Sequence, residues 1–218
     1  MSAGSNPSSF SLFQDWGQDV DIRENPLLRA YRQSPVLVTA FCVLAILAIQ
    51  ALFLKLMGQT TFCDCGAVKL WYPDPSGPET SQHIGDWYTY SHFLHGLLFY
   101  GLLWLVAPRM PLGYRLALAV GLEAAWEMAE NTPMVINRYR ESALAQGYYG
   151  DSVINSLSDT LATIAGFFVA RISPLWLSIL LVVTTEIFMA VMIRDNLTLN
   201  ILQLVYPSQA VSDWQTGG

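Results

Sequence analysis

Five apolar segments, separated by polar stretches, dominate the pattern of the chain. They lie at residues 36–57, 88–107, 112–131, 151–170 and 175–193. At about 1.5 Å per residue, a helix of about 20 residues crosses the roughly 30 Å hydrocarbon layer of a bilayer. The segments are apolar on all sides, although charged residues interrupt the third, so they predict membrane spans rather than amphipathic helices of a soluble protein. The predicted fold class is therefore all-α, a bundle of about five transmembrane helices.

Composition and charge support this interpretation. Of the 218 residues, 53% are hydrophobic and only 13% are charged, whereas about a quarter of the residues in an average soluble domain are charged. The formal net charge of −6 argues against nucleic acid, which binds basic surfaces. Three cysteines are too few for a disulfide framework. We expect membrane lipid as a partner and no nucleic acid.

The distribution of basic residues predicts how the bundle is oriented. Residues 1–34 are polar and lack the pattern of a signal peptide, so we expect a cytoplasmic tail followed by a single transmembrane domain at 35–218. The short connections carry Arg109 and Arg171, and short cytoplasmic loops are the ones enriched in Lys and Arg. The long polar connections at 58–87, 132–150 and 194–218 then all lie on the outer, periplasmic side.

Acidic and histidine side chains lie in the outer half of the predicted spans. In chain order they are His92, His95, Glu123, Glu127, Asp151, Asn155, Asp159 and Glu186. An acidic side chain at mid-membrane costs about 2.5–3.5 kcal/mol on insertion scales. These groups must therefore meet one another, the histidines or water. Residues spaced by four or seven positions share a helix face, and this predicts a polar pocket that opens outward.

Residue chemistry suggests roles within this pocket. The catalytic candidates are Glu123, Glu127, His92, His95 and Asp159, with a carboxyl group as general acid or base. The binding candidates are Asp151, Asn155, Arg138, Arg140, Arg194, Asp195, Asn196, His83 and Asp86. Arg138 and Arg140 would clamp an anionic group. Two other interpretations stay open, namely a buried hydrogen-bond network that fixes helix packing and a proton or ion path.

The first outer loop contains a Cys-x-Cys motif, Cys63 and Cys65, followed by His83. These residue types bind zinc, but the motif is shorter than the usual two-residue spacing of zinc sites. A loop disulfide or free thiols is the favoured interpretation. We expect no metal and no cofactor.

Several polar segments carry a resemblance to a known family. They are Cys63-Asp64-Cys65-Gly66, Lys69-Leu70-Trp71, residues 81–89, Ile136-Asn137-Arg138-Tyr139-Arg140, residues 148–156 and residues 194–200. From residue 54 to residue 218 the chain resembles the multi-pass inner-membrane proteins of uncharacterised protein family 0314, which contain a domain of unknown function. The resemblance implies a bacterial inner-membrane location and no particular reaction. More distantly, the acidic pair on the third span and the polar face of the fourth resemble the VanZ-type membrane fold.

Two functions of different class remain open at this point, and whether the protein is an enzyme stays open with them. The first is an envelope protein whose outward-facing pocket binds or processes a lipid headgroup or a cell-envelope precursor. The second is a non-catalytic accessory or assembly subunit of a larger membrane complex, with protein partners. In the second case its aromatic outer loops, including Trp71 and Trp87, form the partner surface.

The predicted orientation can be tested with alkaline phosphatase fusions, because this enzyme needs the oxidising periplasm to form its disulfides. A fusion after Met110 should be inactive, and a fusion after Gly147 should be active. The opposite pattern would reverse the orientation and turn the polar pocket toward the cytoplasm.

Overall fold

A computed structural model describes residues 31–217, which form helices joined by loops and contain no β-strand. The helices are α1 (Pro35–Leu56), α2 (Thr89–Val106), α3 (Leu112–Glu130), α4 (Pro133–Arg140), α5 (Val153–Ile172), α6 (Leu175–Ile193), α7 (Leu197–Val205) and α8 (Gln209–Thr216). The predicted all-α class is confirmed for this part of the chain. The five long helices begin and end within two residues of the predicted segments. Most of the predicted tail, residues 1–30, lies outside the described residues.

Three helices in the described part of the chain, α1, α5 and α6, are long and apolar enough to cross a membrane. Helices α1 and α6 lie at the periphery, and most of their large apolar side chains are exposed, such as Phe41 at 73% and Val191 at 74%. Helix α5 is half buried inside the bundle. Exposed apolar surface of this extent is typical of a protein whose surroundings are lipid or another apolar partner.

The centre of the bundle is the contact between α2 and α5, which is more extensive than any other helix pair. The two backbones meet at Gly96 and Gly166. A Cβ atom on Gly96 would lie 2.0 Å from the carbonyl oxygen of Thr163, and a Cβ on Gly166 would lie 2.0 Å from that of Phe93. Small residues at such a crossing allow helices to approach closely. The side chain of Thr163 adds a hydrogen bond of 2.8 Å to the carbonyl oxygen of His92.

Helix α1 is joined to α5 by buried hydrogen bonds as well as by packing. The Gln50 Nε2 atom donates to Ser156 Oγ at 2.7 Å, and Thr160 Oγ1 donates to Gln50 Oε1 at 3.0 Å. Gln50 is fully buried, so both ends of its amide need these partners. An apolar core that includes Leu116, Val120 and Phe167 fills the space between α3 and α5.

The first long loop is fastened to the beginning of α5. Backbone hydrogen bonds run from Val153 N to the Thr60 carbonyl and from Ser152 N to the Ser81 carbonyl, each at 2.9 Å. The Gln82 side chain donates to the carbonyl of Gly150 at 2.8 Å. These bonds hold the loop against the end of the bundle where α2 and α5 begin and α3 ends, which is where the candidate polar residues lie.

The close approach of α2 and α5 predicts a large difference between two substitutions in the same helix. Gly96→Ala should lower the melting temperature of the detergent-purified protein, because overpacking costs about 1–3 kcal/mol. Gly101→Ala is the matched control, since a Cβ there meets nothing within 4 Å and alanine favours helix by about 1 kcal/mol. Equal melting temperatures for the two variants would contradict the backbone crossing at Gly96.

Candidate functional site

Glu123 of α3 bridges the two histidines of α2 at the centre of the polar cluster. Its Oε1 atom lies 2.5 Å from His92 Nδ1, and its Oε2 atom lies 2.9 Å from His95 Nδ1. Glu123 and His92 are buried, and His95 is partly buried. An ionised carboxylate only accepts hydrogen bonds, so both Nδ1 atoms donate. A neutral imidazole held in this way has its Nε2 atom free to act as an acceptor.

His92 also contacts two further carboxyl groups. Glu127 Oε1 lies 3.2 Å from His92 Nδ1, and Asp159 Oδ2 of α5 lies 3.9 Å from His92 Nε2. Three helices, α2, α3 and α5, thus bring their polar residues to one imidazole. Of the two candidate histidines, His92 is the one that Glu127 and Asp159 face, whereas His95 contacts Glu123.

Two cavities meet at this cluster. The loop-side cavity measures about 50 Å³ and is lined by Tyr88, His92, Glu130, Tyr148, Asp151 and Asp159, together with loop residues. The α7-side cavity measures about 100 Å³, and its lining includes His92, His95, Trp126, Glu130, Leu197 and Ile201. His92 and Glu130 line both cavities. The cluster therefore has a polar approach from the loops and a second approach bordered by apolar side chains.

Two acids among the binding candidates hold the ends of helices. Asp86 accepts hydrogen bonds from the backbone N–H groups of Ser81 and Tyr88, each at 2.8 Å, at the beginning of α2. Burial raises the pKa of the Asp86 carboxyl above its usual value, although these N–H groups oppose the shift. Asp151 pairs with the Asn131 amide in two hydrogen bonds of 2.7 Å, which join the end of α3 to the beginning of α5.

His83 and Asn155 belong to the attachment of the first loop. His83 Nδ1 accepts a hydrogen bond from the backbone N–H of Lys69, its Nε2 lies 2.7 Å from Glu79 Oε2, and its carbonyl oxygen accepts from Asn155 Nδ2 at 2.9 Å. The Lys69 ammonium is hydrogen-bonded to Glu79 and lowers the pKa of that carboxyl. Cys63 and Cys65 are joined in a disulfide, in agreement with one of the two favoured interpretations of the motif.

The three candidate arginines donate to backbone carbonyls, and none of the three lines either cavity. Arg138 Nε donates to the carbonyl of Leu204 at 3.0 Å, and Arg140 Nε donates to that of Tyr148 at 2.5 Å. Arg194 donates to the carbonyl of Trp214 at 3.1 Å. Among the residues described, 31–217, no lysine or arginine lines either cavity. These guanidinium groups fix the positions of α4, α7 and α8 over the end of the bundle.

Glu186 of α6 lies apart from the cluster and binds the beginning of α7. Its two carboxylate oxygens accept from the backbone N–H groups of Leu197 at 3.0 Å and Thr198 at 3.1 Å. Asn196 caps the same helix by accepting from Leu199 N at 2.8 Å. A helix N-terminus is a favourable partner for a carboxylate, which explains how an acid on an apolar helix is satisfied without the histidines.

Some residues at the site are absent from the sequence-based candidates. Glu130 lines both cavities, and so do Tyr88, Tyr139 and Asn200. Glu130 follows Glu123 by seven residues, and this spacing predicts the same helix face for it without predicting that it lines a cavity. Tyr139 and Asn200 lie on the short helices α4 and α7. The hydrophobic periodicity of these helices does not predict that they lie beside the cluster.

The fold and the site define an all-helical protein with helices that could span a membrane and with a buried carboxylate–histidine cluster at one end of the bundle. Residues 54–217 match the family model described as a protein of unknown function, DUF2585. A UPF0314 protein of Sinorhizobium fredii is 49% identical over 186 residues, covering 85% of this chain and 94% of the relative. The chain belongs to this uncharacterised family, as the resemblance implied.

Two further relatives carry the same family name. The UPF0314 protein of Paracoccus denitrificans is 48% identical over 78% of this chain and 88% of its own length. That of Brucella anthropi is 46% identical over 82% of this chain and 90% of its own length. No solved structure matches the chain. The distant resemblance to the VanZ-type fold stays a prediction.

Asp195, which follows α6, predicts a measurable pH dependence of stability. Burial raises its pKa to about 6 from the usual 3.8, so the folded state binds a proton that the unfolded state lacks between about pH 4 and 6. Lowering the pH from 7.5 to 4.5 should stabilise the wild type relative to Asp195→Asn. A shift of this size corresponds to about 3 kcal/mol at most.

Melting temperatures of the two detergent-purified proteins at the two pH values measure this effect. Asp213→Asn is the control, because Asp213 is exposed and its replacement relieves no buried charge. A wild-type to Asp195→Asn difference that does not change with pH would contradict the effect of burial on this carboxyl.

Proposed function

We propose that the chain is a multi-pass protein of the bacterial inner membrane, spanned by α1, α2, α3, α5 and α6, with a cytoplasmic N-terminus. Its outward-facing polar pocket binds or processes a lipid headgroup or a cell-envelope precursor. Helices α2 and α3 have 18 and 19 residues, about the length that a bilayer requires. The three long connections, including α4, α7 and α8, gather at the same end of the bundle as the cluster, which supports a single polar face.

The observation that carries this proposal is the pair of cavities that meet at His92 and Glu130. The loop-side cavity has Asp151 and Asp159 in its wall, and the α7-side cavity has Trp126, Leu197 and Ile201 in its wall. An amphiphilic molecule needs both environments, because its headgroup seeks hydrogen-bonding partners while its chains seek apolar contact. A purely soluble ligand would not need the apolar wall.

The geometry of the cluster suits acid–base chemistry on such a headgroup. Glu123 orients the rings of His92 and His95, and a histidine held by a carboxylate is the usual form of a positioned general base. Glu127 and Asp159 are nearly completely buried and close to the same ring. We assign the acid–base role to this group of carboxyl side chains around His92, with Glu123 as the group that positions the histidines.

A surface of aromatic side chains supports the second candidate, a non-catalytic subunit of a membrane complex. Trp71, Trp87, Tyr90 and Phe188 contact one another with ring centroids 5.7–6.2 Å apart. Trp71 and Tyr90 are 39% and 37% exposed. Exposed aromatic clusters of this kind are typical of protein interfaces, and they are also typical of the headgroup level of a membrane.

Substitutions at Glu127 distinguish an acid–base site from a packing network. Glu127→Gln keeps the shape but removes the titrating group, so it should fold normally and fail to complement a deletion strain. In a packing network the same change should complement, and Glu127→Leu should be the damaging variant because it leaves neighbouring polar groups unpaired. Asp213→Asn, at an exposed acid that lines neither cavity, is the control and should complement. Full complementation by Glu127→Gln would defeat the acid–base role.

Native mass spectrometry of the protein purified in mild detergent tests the ligand class independently. The proposal expects a retained lipid on the wild type. Co-purifying protein subunits without a retained lipid would favour the accessory-subunit function and would contradict the lipid-headgroup pocket.

A further inference from the structure

In the buried cluster, one carboxyl group has hydrogen-bond partners for both of its oxygens, and three others have a buried oxygen without a partner. Both oxygens of Glu123 have a histidine N–H within 2.9 Å. By contrast, Glu127 Oε1, Glu130 Oε2 and Asp159 Oδ1 are buried and have no hydrogen-bond partner. The single Nδ1 proton of His92 is already donated to Glu123, so it cannot also satisfy Glu127, 3.2 Å away. Buried carboxylate oxygens without a donor are costly.

What these oxygens lack is positive charge. The loop-side cavity is lined by three carboxyl groups, Glu130, Asp151 and Asp159, and by no lysine or arginine of the described residues. Glu123 and Glu127 lie directly behind them. His92 and His95 are the basic side chains in this group, against five carboxyl groups. Buried charges in proteins are paired or coordinate metals.

The side chains that carry these oxygens lie close to one another around His92. One ligand atom each from His92, Glu127 and Glu130 lie within 4.8 Å of one another, and Asp159 Oδ2 lies 3.9 Å from His92 Nε2. The adjoining cavity of about 50 Å³ has room for a cation and water, since one water needs roughly 10–15 Å³.

We propose that His92, Glu127, Glu130 and Asp159 bind a divalent metal ion of the oxygen-preferring Mn²⁺ or Mg²⁺ class at the inner end of the loop-side cavity. Three carboxylates and one imidazole match that class better than they match copper or a thiolate metal. Glu123 then acts as a positioning residue, because a ligating histidine usually donates its other ring N–H to a carboxylate.

Two other groups in the described residues have metal-ligand chemistry, and both are already occupied by protein contacts. Cys63, Cys65, Glu79 and His83 form the first, but its sulfurs are joined in a disulfide and both ring nitrogens of His83 have partners. The second is His92 with His95 and Glu123, in which both Glu123 oxygens are hydrogen-bonded.

The metal site also narrows the substrate class, and this step rests on the proposed function. An acidic pocket repels an anionic headgroup, and the candidate arginines donate to backbone carbonyls instead. A divalent ion held by carboxylates commonly takes substrate phosphate oxygens as further ligands. The headgroup would therefore be a phosphorylated one, bound through the ion.

The test is a Mn²⁺ titration of the full chain in mild detergent after treatment with a chelator, followed by the electron paramagnetic resonance signal of free Mn²⁺. We expect one tight site per chain. Asp159→Asn and Glu130→Gln should each weaken binding at least tenfold, and Glu123→Gln should weaken it about 10–100-fold. Glu186→Gln and Glu79→Gln are matched controls that should leave the affinity unchanged.

Absence of Mn²⁺ binding, or binding that survives in every cluster variant and is lost in Glu79→Gln, would overturn the site. Should the cluster variants fail to fold, pulsed resonance of wild-type bound Mn²⁺ decides the matter, because coupling to a histidine nitrogen is expected and an oxygen-only shell would contradict it. The assay needs no lipid. A protein that retains lipid but binds no Mn²⁺ therefore refutes the metal alone, and the reverse result refutes the lipid pocket alone.

Discussion

The close crossing of α2 and α5 is the constraint on which the rest of the structure depends. Gly96 and Gly166 let two backbones approach to a distance that any Cβ would prevent. His92 lies one helical turn from Gly96, and its carbonyl is bound by Thr163. The crossing therefore fixes the position of His92 along the helix axis relative to Asp159 on α5. Helix α3 supplies Glu123 and Glu127, so that acids of two helices meet at the one ring.

Around this crossing the polar groups form two zones with different tasks. The outer zone, which includes Asp86, Asn131 and Asp151, joins loops to helix ends through short hydrogen bonds. The inner zone contains Glu127, Glu130 and Asp159, whose oxygens include unpartnered ones. Natural proteins leave few buried polar groups unsatisfied, and those that remain call for an explanation. This contrast within a single end of the bundle is the reason to regard the inner zone as functional.

The positions of the long helices and the helix faces that carry the acids could be predicted from the sequence, because segment length and four-residue spacing are local properties. It could not identify the partner of each acid. Glu186, like Glu127, is an acid on a long helix, a few residues from the end where the cluster lies. Its carboxylate nevertheless accepts hydrogen bonds from backbone N–H groups of α7. Residue type alone predicts that Arg138 and Arg140 clamp an anion. In the structure they donate to backbone carbonyls, and the periodicity of the sequence does not indicate these partners. Seven-residue spacing puts Glu130 on the face of Glu123, but its place beside both cavities depends on α4 and α7, which contribute Tyr139 and Asn200 to the same walls.

The contact between Glu186 and α7 has a mechanical consequence. Helix α6 packs only lightly on the other helices, and a lightly packed apolar helix is free to rotate about its own axis in a fluid surrounding. The junction between α6 and α7 is held by three hydrogen bonds. Two are accepted by the Glu186 carboxylate, and the third runs from the Asn196 side chain to the Glu186 carbonyl. The rotation of α6 about its own axis is thereby held by contacts near its C-terminal end, the Glu186 hydrogen bonds together with the packing of Phe188 and Met189, and not by an interface along its whole length.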